Sequence, residues 1–166
     1  MTLGMSLGTF TLLHVLISLA GIGSGFVVAW GLLSGKRLDG WTAIFLATTV
    51  LTSVTGFLFP VHHLMPSHIV GTLSLIVLAV AIAARYKFQM EGRWRSVYVI
   101  SALVALYFNV FVAIVQAFAK VPALKALAPK GNEPPFAATQ FVVLAGFILF
   151  TVVAVKKFRR RAMVTA

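Results

Sequence analysis

Polar and apolar residues alternate along this chain in long blocks, neither with the two-residue period of a strand nor with the short amphipathic stripes of a soluble helix. Five blocks are apolar for about the 20 residues that a helix needs to cross a bilayer. They run over about 10–33, 41–60, 66–85, 97–118 and 136–155, and the connections between them hold most of the charges. The pattern predicts an all-α integral membrane protein, a five-helix transmembrane bundle forming one membrane domain over 1–166. Pro122 to Ala128, inside the longest connection, has the composition of a short interfacial helix stopped by Pro129. Met1 to Phe10 has neither a leading positive charge nor a small-residue cleavage site, so this end reads as a retained first span.

Composition agrees with the blocks. Sixty per cent of the 166 residues are hydrophobic and only 10% are charged, and the mean hydropathy is +1.01, far from the roughly 25% charged content of soluble domains. The net charge of +11 does not argue for a nucleic-acid partner, because the basic residues flank the apolar runs; membrane lipids are the expected surroundings. Eleven Lys and Arg fall on one side, from Lys36 and Arg37, from Arg85, Lys87, Arg93 and Arg95, and from the tail Lys156 to Arg161; Lys120, Lys125 and Lys130 fall on the other. Positive charge marks the cytoplasmic side. The count predicts the N-terminus outside and the C-terminus cytoplasmic, with 61–65 and 119–135 as outward loops. The absence of cysteine excludes disulfides, iron–sulfur clusters and thiolate chemistry.

Polar residues inside the spans are few. Gly21 and Gly25 stand four apart, a spacing that lets a second helix approach closely. Thr48, Thr52 and Thr55 make a hydroxyl stripe with Thr49 and Ser53 beside it, and Asn109 falls near mid-span, where an amide is expected to look inward.

The candidate chemistry lies between the second and third spans. Phe57-Leu58-Phe59-Pro60-Val61-His62-His63-Leu64-Met65-Pro66-Ser67-His68 holds three of the four histidines. The predicted topology brings them to the same outward layer as His14, Gln116 and Gln140. Imidazoles at that density suit a copper or zinc site from His14, His62, His63 and His68, to which Met65 would add a soft ligand. Adjacent His62 and His63 would point about 100° apart on a regular helix, so joint ligation needs an irregular turn, which the two prolines favour. Haem b would take His14 and one of the other three as axial ligands. A quinone would use His14 or His68 with Gln116 and Phe57 or Phe59, and His14, His68, Gln116 and Gln140 are the candidate cofactor-binding residues. The same histidines also suit a wet, purely structural rim. No nucleophile–base pair, paired carboxylates, His-Glu-x-x-His or phosphate loop is present, which leans away from an enzyme.

The phrases Thr48 to Pro60, Ala105 to Val112 and Gln116 to Leu124 resemble a family of small polytopic bacterial membrane proteins with no assigned activity. The resemblance implies a multi-pass protein of the bacterial inner membrane. Size, helix count and histidines near helix ends give a general similarity to membrane cytochromes of the b561 kind, although here the fourth and fifth spans carry no histidine. The expected role is that of a metal- or haem-binding redox accessory protein. The alternatives are a structural or assembly subunit docking on a larger membrane complex or on copies of itself, and a small-solute channel or carrier.

Overall fold

The computed structural model describes residues 4–59 and 66–164. The described residues form α1 (Leu7–Leu33), α2 (Asp39–Phe57), α3 (Pro66–Ile82), α4 (Trp94–Lys120), the short α5 (Pro122–Leu127) and α6 (Pro134–Val164), with no strand among them. Five of the helices are long and apolar enough to cross a membrane, which suits a multi-pass membrane protein. His62 and His63 lie outside the described residues.

The ends of the helices follow local chemistry. The Ser6 hydroxyl accepts the Thr9 N–H at 3.1 Å, so α1 starts at Leu7, before the apolar run itself. It stops at Ser34, where Gly35 takes φ +67° and the N–H groups of Gly35 and Lys36 return to the Leu32 and Gly31 carbonyls. This is a Schellman closure, which depends on a glycine in the left-handed region. After Ile82, α3 does not simply end. Its last turn widens into a π-turn, Ala83–Lys87, which swings Arg85 inward. The basic tail expected beyond 155 continues α6 to Val164.

Contacts fix the arrangement. Phe10 meets Phe59, His14 meets Thr55 and a Cβ on Gly25 would meet Phe45, so α1 and α2 run antiparallel. Ser53 donates to Ser74 at 3.1 Å between α2 and α3. Tyr98 of α4 lies under Arg85, and α4 packs back against α1, closing a four-helix ring. α6 runs antiparallel to α4, as Phe118–Phe136 and Tyr107–Phe147 ring pairs show, and lies in the seam between α4 and α1. One end of the bundle therefore carries His14, Thr55, His68 and Gln140, and the other carries Asp39, Arg85 and Phe158.

Within lipid there is no hydrophobic drive for helices to meet, so close packing and hydrogen bonds hold them. Gly25 is the tightest point: a Cβ there would lie 2.5 Å from Leu106 Cδ1 and 2.9 Å from Phe45 Cε2. At Gly21 the Thr48, Thr49 and Asn109 side chains crowd in within 3.4 Å, and Asn109 Nδ2 donates to Thr49 Oγ1 at 3.1 Å. The small-residue face of α1 is thus spent inside the bundle and is not free to dock on a partner. Packing is uneven along the bundle. Between residues 11 and 20 of α1 no residue is buried, nor is any between 110 and 117 of α4, whereas α1 from Gly21 and α4 up to Asn109 form the core.

Candidate functional site

The loosely packed end carries His14. Its Nδ1 lies 2.8 Å from Thr55 Oγ1, and the chemistry of Thr55 decides which atom holds the proton. When the Thr55 hydroxyl donates to the Leu51 carbonyl at 2.7 Å, it accepts from His14. That arrangement suits an imidazole with its proton on Nδ1, which in the neutral ring leaves the lone pair on Nε2. Nε2 has no partner among the described residues. The ring sits edge-on to Phe59, centroids 5.1 Å apart, and Phe59 in turn meets Phe10 at 4.9 Å. His14 Cε1 lies 3.9 Å from a Cβ built on Gly56, so a methyl at that position would rest against the ring at ordinary contact distance.

His68 is at the same end but on another face. Its ring lies 5.5 Å from that of Phe57, and it makes a further interaction besides. Thr55 and Phe57, two residues apart on α2, point about 200° apart, so the helix stands between the two imidazoles. His14 and His68 do not face one another as two axial haem ligands do. Gln116 is level with His14 in the α1–α4 register but is exposed and makes no side-chain hydrogen bond among the described residues. Gln140 donates from Nε2 to the Phe111 carbonyl at 3.3 Å, while its Oε1 is buried without a partner. Among the described residues no three His, Cys, Asp or Glu side chains cluster as a metal site.

The hydroxyl stripe is mostly self-satisfied. Thr48 donates to Ile44 and Thr55 to Leu51, both at 2.7 Å; Thr52 Oγ1 alone is buried without a bond. Asn109 meets the expectation that a mid-span amide looks inward, since its donor goes to Thr49 across the bundle.

The opposite end holds a polar network that the charge pattern did not signal. Arg85, counted above among the cations that flank the apolar runs, has a side chain only 3% exposed. Its guanidinium pairs with Asp39, donates to the Arg37 carbonyl at 3.3 Å and lies 5.2 Å over the Tyr98 ring. The π-turn puts it there: the Phe88 and Met90 N–H groups bond back to the Ala83 and Ala84 carbonyls, and Gln89 and Met90 both take positive φ. A usable clue was the scarcity of acids. The chain has three, and Asp39 opens the helix next to α3.

A cavity of about 320 Å³ lies between α1, α4 and α6, lined by Phe26, Leu106, Val110, Val143, Phe147, Phe150 and their neighbours. No polar side chain lines it. No protein-family model, curated protein or solved structure matches this chain significantly.

Proposed function

We propose that this chain is an inner-membrane accessory protein that binds copper or zinc through His14 at the loosely packed end of the bundle. The observation that supports this reading is the His14–Thr55 bond. An imidazole that ligates through Nε2 must be neutral, carry its proton on Nδ1 and be held in place by an acceptor for that proton, and Thr55 is placed to be that acceptor. The remaining ligands are proposed to come from His62 and His63. Phe59 packs against His14, and His62 follows Phe59 by three residues, a reach of roughly 10 Å. In this reading the N-terminus is outside and the site opens away from the cytoplasm. Haem bridged between His14 and His68 is not part of the proposal, because α2 separates them.

The test is the metal content of protein purified in detergent and dialysed against about 10 µM zinc or, under reducing conditions, copper, a concentration that fills a site of roughly micromolar or tighter affinity. Wild-type protein is expected to retain one ion per chain and His14→Ala none. Thr55→Val, which removes only the acceptor for Nδ1–H, is expected to weaken binding by about 10- to 100-fold. Equal retention by wild type and His14→Ala would rule the site out.

A further inference from the structure

We infer that the cavity between α1, α4 and α6 is a lipid site, which takes one acyl chain of an anionic phospholipid whose head rests on Lys36 and Lys157. The cavity holds about 320 Å³, and its walls, among them Phe26, Leu106, Val110 and Phe147, present no polar side chain. Hydrocarbon is what such a lining selects. Phe26 is 51% exposed, Gly146 puts no side chain across the gap, and α6 is the least buried of the five spans. The cavity therefore opens sideways into lipid through the α1–α6 seam, and an acyl chain reaches it without leaving its leaflet. Walls on either side of a gap forfeit dispersion contacts, and methylenes restore them.

The head follows from where the seam leads. Val143 and Phe150 of the wall are seven apart on α6, and Lys157 is seven further, so all three share one face of the helix. The Lys157 side chain is exposed. On the other side of the seam, Gly21 meets Asn109 and Gly25 meets Leu106, so α1, like α6, is antiparallel to α4, and the two helices of the seam are parallel. The Phe26–Phe147 ring pair, 6.4 Å apart, sets their register. It makes Leu33, at the end of α1, level with Ala154. Lys36, exposed and with its N–H folded back onto the Gly31 carbonyl, then stands within about one turn of the height of Lys157. Neither lysine forms an ion pair among the described residues. Each helix of the seam thus brings an unpaired cation to the same level, which complements a phosphodiester of net negative charge.

Depth agrees with this placement. The wall from Phe150 to Val143 lies about 10–21 Å below Lys157 along α6, and one leaflet of hydrocarbon is about 15 Å thick. A chain whose head is at the lysines lays its far half in the cavity. The site is separate from the His14 metal site and does not depend on it.

The probes are palmitoyl-oleoyl phosphatidylglycerol and phosphatidylethanolamine, which share their chains and differ in head charge. They are titrated onto the full chain in detergent, and bound lipids are counted by native mass spectrometry. One phosphatidylglycerol per chain is expected, at least about fivefold tighter than phosphatidylethanolamine. Lys36→Gln combined with Lys157→Gln is expected to abolish that preference. Lys125→Gln combined with Lys130→Gln removes the same charge at the other end of the bundle and is expected to keep it. Gly146→Leu places a side chain where a Cβ meets nothing within 4 Å, so the helix tolerates it while the cavity fills, and both lipids are expected to bind at least tenfold more weakly. Val143→Phe fills the same cavity from one turn away and should read alike. Equal affinity for the two lipids, loss of the preference in the Lys125 and Lys130 variant, or unchanged binding in both Gly146→Leu and Val143→Phe would overturn the assignment.

Discussion

Removing either partner of the Arg85–Asp39 pair should have unequal consequences, because the two differ in their access to water. Asp39 is 79% exposed and Arg85 only 3%. Asp39→Ala strands a buried guanidinium with the Arg37 carbonyl, the Met90 sulfur and the Tyr98 face as its remaining company. A lost charge-assisted hydrogen bond costs about 1.5–3 kcal/mol, and a fully stranded buried charge about 3–5 kcal/mol. Water reaches the vacated side, so about 2–3 kcal/mol is expected. Arg85→Met leaves a carboxylate that is already hydrated, at a cost nearer the 0–1 kcal/mol of an exposed pair, and methionine fills the space beside Met90. The double variant should then be more stable than Asp39→Ala alone, since nothing charged is left buried. Thermal unfolding in detergent followed by circular dichroism reads the difference: about 4–12 °C lost for Asp39→Ala at roughly 2–4 °C per kcal/mol, with part recovered in the double variant. Loss of the helix-start charge is common to both and cancels. An Arg85→Met variant as unstable as Asp39→Ala, with no recovery on combining them, would refute the reasoning.

Other expectations follow from single contacts. Asn109→Leu removes the bond to Thr49 and should cost about 0.6–1.7 kcal/mol, the range for hydrogen bonds between membrane helices, read by unfolding in mixed micelles. Gly25→Val should cost more, about 1–3 kcal/mol, because its side chain meets Leu106 and Phe45 at less than contact distance; stability equal to wild type would show that α1 and α4 are not in contact there. In the connection before α6, Glu133 accepts the Lys130 N–H at 2.9 Å and the Asn132 N–H at 3.1 Å. These donors, Lys130 first, hold its carboxyl below its ordinary value of 4.5. A depressed carboxyl stabilises the loop above the ordinary value and loses that contribution as pH falls through the lowered one. Amide signals of Lys130 and Asn132 should therefore shift together only on acidification below about that ordinary range, and Glu133→Gln should abolish the shift.

The five spans and the short α5 were readable because a bilayer demands long apolar runs and proline and glycine punctuate them. His14 and Thr55 were each visible, one as a lone ionisable group and the other as part of a stripe. Their bond was not, because it depends on the α1–α2 register, which glycine packing sets. Asn109 and Gln116 are seven apart and so share a face of α4, yet only Asn109 is buried. The difference lies on α1, where Gly21 admits the Asn109 side chain while none of residues 11–20, level with Gln116, is buried. The burial of Arg85 was not legible for a general reason: an arginine at the end of a span is expected at the membrane surface, and the π-turn that buries this one comes from local backbone geometry that periodicity does not encode.

The state of the His14 ring carries the functional proposal, and it can be observed directly. Nitrogen NMR of selectively labelled histidine in detergent distinguishes protonation at Nδ1 from protonation at Nε2, and a bound metal moves the ligating nitrogen. The account predicts a neutral His14 with its proton on Nδ1 and an Nε2 signal that shifts on adding zinc. A proton found on Nε2, or a ring indifferent to metal, would contradict it.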